Sequence, residues 1–190
     1  MSQTSRYIET EGTVASRATH DEALIARARN GDREAFALLI EPRALRLLRT
    51  ARAILGNEAD AFDAAQETLI AAWVRLPGLR DVGRFDVWLQ RALVNKCRDA
   101  RRKRGRVREI DMTAADLRVD DGTAKRAEQT AILAAFDRLT VDQRHILALH
   151  YLHELPLSQI ADQLLIPVGT AKSRLWAARR ALERALEAEA

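Results

Sequence analysis

Residues 157–182 read LSQIADQLLIPVGTAKSRLWAARRAL. A short helix, SQIADQLL, is followed by a turn of a few residues and a second helix, GTAKSRLWAARRAL. Ile160, Ala161 and Leu164 form the inner face of the first helix, and Leu175 and Leu182 that of the second. Ala161 is small where the two helices must approach closely. The pattern is a helix-turn-helix. Its second helix offers Thr170, Lys172, Ser173 and Arg174 near the N-terminus, the part that enters a major groove in such motifs. Backbone amides at that end also favour a phosphate. Residues 170–184 hold five basic groups (Lys172, Arg174, Arg179, Arg180, Arg184) against one acid, Glu183. The competing reading is an ordinary helical hairpin with a solvated basic face.

Working outward, Thr140-Val141-Asp142-Gln143 is a capping-box pattern that opens a helix through Ile146, Leu147 and Tyr151. Ala124–Arg138 reads as the helix before it. Residues 105–124 show little periodicity and carry Asp111, Asp116, Asp120, Asp121 and Gly122. They read as an acidic linker of about 20 residues, long for a loop inside one domain. Upstream of it, Phe85, Trp88, Leu89, Ala92, Leu93 and Cys97 recur at three-and-four spacing, the clearest amphipathic helix in the chain. Its far end, Arg98 to Arg104, is almost wholly charged, and Gly105 is its expected stop. The loop Pro77–Gly83 separates it from a helix over Glu58–Leu76. Asp32 is placed to cap a helix that meets Pro42, which either kinks it or starts a new one. Thr19 to Glu22 fits another capping box, and residues 1–19 read as a flexible tail. The expected fold is all-α: two small helical domains, 20–104 and 125–190, joined by a flexible linker, the second containing the helix-turn-helix.

Composition agrees. The 190 residues are 47% hydrophobic, 5% aromatic, and hold 8 Gly, 4 Pro and one cysteine. Ala, Leu and Arg dominate, which favours helices over sheets. One cysteine excludes a disulfide framework and a zinc site built on paired thiolates. No apolar run approaches the roughly 20 residues of a membrane span, and residues 1–20 lack the apolar core of a secretory signal. A soluble, cytoplasmic protein is the expectation. The net charge of +4 conceals an asymmetry: residues 91–108 hold nine basic side chains against Asp99 alone, so the rest of the chain sums to −4. A basic segment on an acidic body points to a polyanion partner.

The segment DAFDAAQETLIAAW, residues 60–73, sets Asp60, Asp63 and Glu67 on one helix face with Gln66 beside Asp63. Ala64, Leu69, Ala72 and Trp73 lie opposite for packing. An acidic stripe suits docking onto a basic partner helix, and it equally suits plain solvent.

With these motifs in this order, the chain resembles bacterial sigma factors of the extracytoplasmic-function (ECF) group. GDREAFALLI, DAFDAAQETLIAAW and RFDVWLQRALVNKCRDARRKR look like that family's region 2. LTVDQRHILALHYLHELPLSQIADQLLIPVGTAKSRLWAARRAL looks like its region 4. The resemblance implies a transcription initiation factor, not an enzyme. Asp60, Asp63, Gln66 and Glu67 would dock on the clamp helices of the RNA polymerase β′ subunit, with the β subunit a further partner. Asn95, Arg98, Asp99, Arg101 and Arg102 would bind the minus-ten promoter element, and Pro77–Gly83 would sit where a flipped base is read. Thr170, Lys172, Ser173, Arg174 and Arg179 would contact the minus-thirty-five duplex. No cofactor or metal is implied. Many members of the family are held inactive by an anti-sigma partner wedged between the domains.

The sequence departs from the family pattern at three positions. Phe62 stands where an acid is usual, Pro156 where a Ser or Thr usually caps the helix, and Leu165 where the turn has glycine. If that turn needs positive φ, leucine there costs about 1 kcal/mol or somewhat more. A stand-alone helix-turn-helix regulator is the alternative, but it would leave the basic helix and acidic stripe unexplained. An RNA-binding or other helical interaction protein would leave the helix-turn-helix unused. Trp73 and Trp88 lie on apolar stripes and read as core. His145, His150 and His153 do not form a compact metal cage, and Cys97 reads as buried and inert.

Overall fold

The computed structural model describes residues 19–111, 132 and 134–189, and every regular element among them is helical. Residues 1–18 of the expected tail, residues 112–124 of the expected linker, and residues 125–131 and 133 of the helix expected over Ala124–Arg138 lie outside the described residues.

The first domain has four helices. α1 (19–29) already contains Thr19, so that residue sits inside the helix and not at its cap. α2 (Arg33–Leu55) is capped by Asp32, whose carboxylate accepts from the Ala35 amide at 3.0 Å. α2 passes through Pro42 without ending. It stops at Gly56, whose φ of 76° carries the left-handed cap and lets its amide bond the Arg52 carbonyl at 2.9 Å. Asn57 then caps α3 (Glu58–Arg75) by accepting from the Asp60 amide at 2.7 Å. Two short 3₁₀ turns, Leu76–Gly78 and Val82–Arg84, form the loop before α4 (Phe85–Asp111). Arg29 of α1 donates to the Leu79 carbonyl and so ties this loop down.

Gly105 does not end α4, contrary to the sequence expectation. A single interior glycine costs about 1 kcal/mol, too little to stop a helix of 27 residues whose propagation is cooperative.

The first core collects the stripes these elements present: Leu24 and Ile25 of α1, Leu39, Leu47 and Ile54 of α2, and Leu89, Leu93 and Cys97 of α4. α3 contributes alanines 61, 64 and 72, whose small side chains let it lie close to its neighbours. Arg43 crosses this core. Its guanidinium binds Asp21 of α1, Asp86 of α4 at 2.5 Å and the Leu39 carbonyl at 2.6 Å, and it lies 5.3 Å from the Phe85 ring centroid.

The second domain begins, among the described residues, with helical residue 132 and the turn α5 (134–137). Thr140 and Gln143 form the expected capping box on α6 (Val141–Leu147), with reciprocal bonds of 3.2 and 2.9 Å. The helix then widens into a π turn, Ala148–Leu152, which periodicity did not foretell. α7 (Leu157–Leu164) and α8 (Val168–Glu187) make the helix-turn-helix. Pro156 precedes α7 with no side-chain cap, and Leu165 ends it at φ 54° and ψ 48°, in the left-handed region. Ile160, Ala161, Ala171, Leu175 and Ala178 close the second core, with Leu164 and Leu182 packed against it.

The two domains touch. α6 packs on α2 and α4, and Val141 belongs to the first core although it lies in the second domain's first helix.

Candidate nucleic-acid interface and docking face

Three helix faces carry the predicted functional residues. On α3, Asp60, Asp63 and Glu67 line one open cleft of about 480 Å³ together with Lys96, Asp99, Lys103 and Arg104 of α4. The three-and-four spacing puts the acids on one side, and the antiparallel run of α4 sets Lys96 opposite Glu67 and Arg104 opposite Asp60. Glu67 accepts from the Lys96 ammonium at 2.8 Å, and that hydrogen bond holds its carboxyl below the usual range. Asp60 lies 3.8 Å from Arg104. Gln66 is exposed but does not line the cleft. Beyond it on α3, Phe62, Ile70 and Val74 are 58%, 58% and 69% exposed. The exposed surface of α3 is therefore part acidic and part apolar.

On α4, Asn95, Asp99 and Arg102 are exposed, while Arg98 and Arg101 are half-buried. Asn95 accepts from Arg98 at 2.7 Å, and Asp99 pairs with Arg102 one turn on. Arg98 also pairs with Asp142 of α6, and Arg101 donates to the Leu139 and Asp137 carbonyls at 3.0 Å each. The five residues do share one helix, but two of them are engaged by the second domain.

On α8, the Leu165–Pro167 turn aims the N-terminus outward. Its first amides have no partner inside the helix, which leaves donors for an anion. Lys172, Ser173 and Arg174 are exposed and Thr170 is half-buried, its carbonyl accepting from the Ser173 hydroxyl at 3.0 Å. Ala171, Leu175 and Ala178 face the core. At about 100° per residue, Ser173, Trp176 and Arg180 then point directly away from it, with Lys172 adjoining, while Arg174 and Arg179 flank opposite edges of that face. Sequence reasoning passed over Trp176. It is 64% exposed, and the Arg180 guanidinium lies 5.8 Å from its ring centroid. The signal was available: Trp176 stands three residues after Ser173 and next to the buried Leu175.

The other two tryptophans pack as expected. Trp73 meets Phe36 edge-on at 5.1 Å, and Trp88 lies 5.8 Å from Phe85 against the first core. Burial pushes the Cys97 thiol up to about 12, so it holds no thiolate at neutral pH despite its basic neighbours. Burial also pushes His145 down to about 4. Among the described residues, no cluster of three or more His, Cys, Asp or Glu side chains is placed to hold a metal ion, and no helix is long and apolar enough to cross a membrane.

Comparison with known proteins places these faces in context. The family model of sigma-70 region 2 matches residues 39–107, and that of sigma-70 region 4 matches residues 129–182. The RNA polymerase sigma factor NccH of Alcaligenes xylosoxydans xylosoxydans is 32% identical over 177 residues, covering 88% of this chain and 95% of that protein. The ECF RNA polymerase sigma factor SigM of Mycobacterium tuberculosis is 31% identical over 166 residues, covering 87% and 84%. The structure of CnrH in complex with the cytosolic domain of CnrY is similar with a TM-score of 0.63 at 26% identity, covering 90% of this chain and 99% of that one. The helix-turn-helix therefore does not stand alone, and a regulator built on that motif only is set aside. With both domain models matched in order, the chain belongs to the extracytoplasmic-function group of bacterial RNA polymerase sigma factors, which bind core polymerase and direct it to promoters.

Proposed function

We propose that the three helix faces divide the work of promoter recognition. The α3 face, with Asp60, Asp63, Gln66 and Glu67, docks on the β′ clamp helices, and exposed Phe62 adds apolar contact there. Carboxylates already paired with Lys96 and Arg104 exchange one set of cations for another on docking, so the interface is sensitive to charge reversal. Asn95, Arg98, Asp99, Arg101 and Arg102 of α4 bind the minus-ten strand, and the loop before α4 receives an unstacked base. Extruding a base costs a few kcal/mol, which the basic track and a stacking pocket offset. The α8 face enters the major groove of the minus-thirty-five element, where Lys172, Ser173, Arg174 and Arg179 reach base edges and phosphates.

The observation that carries this reading is the outward face of α8. Its cationic and hydroxyl groups stand beside the open N-terminus of a helix that follows a tight turn. Trp176 and Arg180 share that face, and we add them to the groove contacts. The protein makes and breaks no bonds of its own, needs no cofactor and works in the cytoplasm beside the DNA. CnrH is bound to the cytosolic domain of CnrY, and an anti-sigma protein is the corresponding partner here.

Run-off transcription with purified core polymerase on a library of promoter fragments tests the reading. New, defined start sites should appear only when the protein is present. Arg174→Ala and Trp176→Ala should each lower minus-thirty-five-dependent transcription about tenfold while core affinity stays unchanged. Asp63→Arg should lose core affinity. Equal loss of core binding in all three variants would remove the proposed division of labour.

A further inference from the structure

The loop between α3 and α4 is pinned at every third residue. Leu76 and Phe85 are buried, and Leu79 and Val82 pack against the same first core. Between these pins, Pro77, Gly78, Arg80, Asp81, Gly83 and Arg84 are exposed. Apolar pins fix where the loop lies, but burial is non-directional and does not set how the peptide planes turn. Arg29 does that. From the last turn of α1, 50 positions away, it donates to the Leu79 carbonyl.

The donor stands on a fixed element. Leu24, Ile25 and Ala28 hold the inner face of α1 in the first core. The helix ends where Gly31, at φ 89°, donates its amide to the Ala28 carbonyl at 3.0 Å. Arg29 Nε is buried and has no partner among the described residues. Burying an unpartnered N–H is costly, and the charge-assisted bond to Leu79 is what offsets that cost.

A peptide unit is planar, so fixing the Leu79 carbonyl also fixes the amide and Cα of Arg80. Of the loop's two arginines, Arg84 pairs with Asp81 at 3.3 Å. Arg80 has no hydrogen-bond or ion-pair partner among the described residues. The loop therefore presents one exposed, unengaged guanidinium on an oriented stem.

We propose that Arg80 selects the unstacked base of the minus-ten strand, and that Arg29 is a positioning residue acting through the Leu79 carbonyl. A guanidinium only donates, in a planar fork, so it pairs with a base edge that shows two adjacent acceptors. Guanine offers N7 and O6. Cytosine, once extruded, offers N3 and O2 on its Watson–Crick edge. Adenine sets its amino donor beside both N7 and N1, and thymine sets an N3–H between its carbonyls. The chain therefore selects guanine or cytosine at that one position. This inference rests on the reading of the Pro77–Gly83 loop as the place that receives a base.

Run-off transcription by the reconstituted holoenzyme, on a promoter library randomised through the minus-ten element, tests it. At one position the wild type should favour guanine or cytosine over adenine and thymine by at least about tenfold. Arg80→Lys keeps the charge without the fork, and should cut that preference to under about twofold while the other positions keep theirs. Arg29→Ala should weaken the same preference about fivefold through loss of orientation. Arg29→Lys retains a donor for the carbonyl and should restore most of it. Core affinity and minus-thirty-five dependence should stay at wild-type levels in all three variants, which a folding defect would not allow.

A preference that survives intact in Arg80→Lys, or an equal fall in transcription for every base, would overturn the role of Arg80. A preference unchanged in Arg29→Ala would overturn the tether. A wild type that favours adenine or thymine where Arg80→Lys loses its preference would overturn the fork chemistry. A wild type indifferent at every minus-ten position would show instead that the loop receives no base, and the proposal would go down with that reading.

Discussion

Leu165 holds a left-handed backbone conformation in the turn of the helix-turn-helix, where its Cβ crowds its own carbonyl. Its side chain is 44% exposed, so little packing depends on it. Leu165→Gly should raise stability by about 1 kcal/mol, read as a higher urea midpoint with an unchanged slope. Arg43 presents the reverse case. Its side chain is 8% exposed and joins α1, α2 and α4 through Asp21, the Leu39 carbonyl and Asp86. Arg43→Ala removes those bonds and leaves a gap under Phe85. Because Asp86 remains half exposed and can regain water, the loss should be about 3 kcal/mol, the low end for a broken buried pair. Calorimetry or urea unfolding reads it directly. The strain at Leu165 was legible in the sequence, since a leucine replaced an expected glycine. The role of Arg43 was not, because an arginine in a helix ordinarily reads as surface.

Among the elements, α6 holds the most conditional stability. His145 is 6% exposed, its Nε2 has no partner among the described residues, and burial lowers its pKa to about 4. His153 is also lowered, by burial first and then by Arg46 and Arg49. Both rings are neutral when folded, and the unfolded chain takes up their protons first. Stability is therefore fully present above about pH 6.5 and falls as pH drops from there toward about 4. For His145 the loss across that window is about 3 kcal/mol. Urea midpoints measured between pH 7 and pH 5 should decline accordingly, and His145→Leu should flatten the decline. Periodicity and caps located α2, α3, α6, α7 and α8, because the N-cap residues Asp32, Asn57 and Thr140 act within their own first turns. The extent of α4 past Gly105 and the π turn at Ala148–Leu152 escaped. The first is a matter of cooperativity along a helix, and the second of packing against another element.

At the scale of the molecule, two helical domains and their order followed from the order of the motifs. Their contact did not, because Arg144 and the Ile54 carbonyl to which it donates are 90 positions apart and neither has a local signature. The contact has a thermodynamic consequence. With Val141 in the first core and Arg144 closing α2, neither domain is complete without the other. Unfolding followed by tryptophan fluorescence and by far-UV circular dichroism should give coincident transitions in the intact chain. Arg144→Ala should separate them into two steps, and two steps in the wild type would show that the domains are energetically independent. Trp73, Trp88 and Trp176 report on both halves, which makes the comparison direct.

The position of Val141 also redraws where the protein can be divided. A cut between residues 111 and 132 would follow the sequence boundary and yet leave the N-terminal half with an unfilled notch and without the guanidinium that binds the Ile54 carbonyl at the end of α2. The covalent tether now supplies a high local concentration of the piece that fills that notch. Once severed, the same contact would become an ordinary bimolecular association, set by how much of each half is present. Two fragments expressed together would then find one another through Val141 and Arg144, and dilution alone would part them.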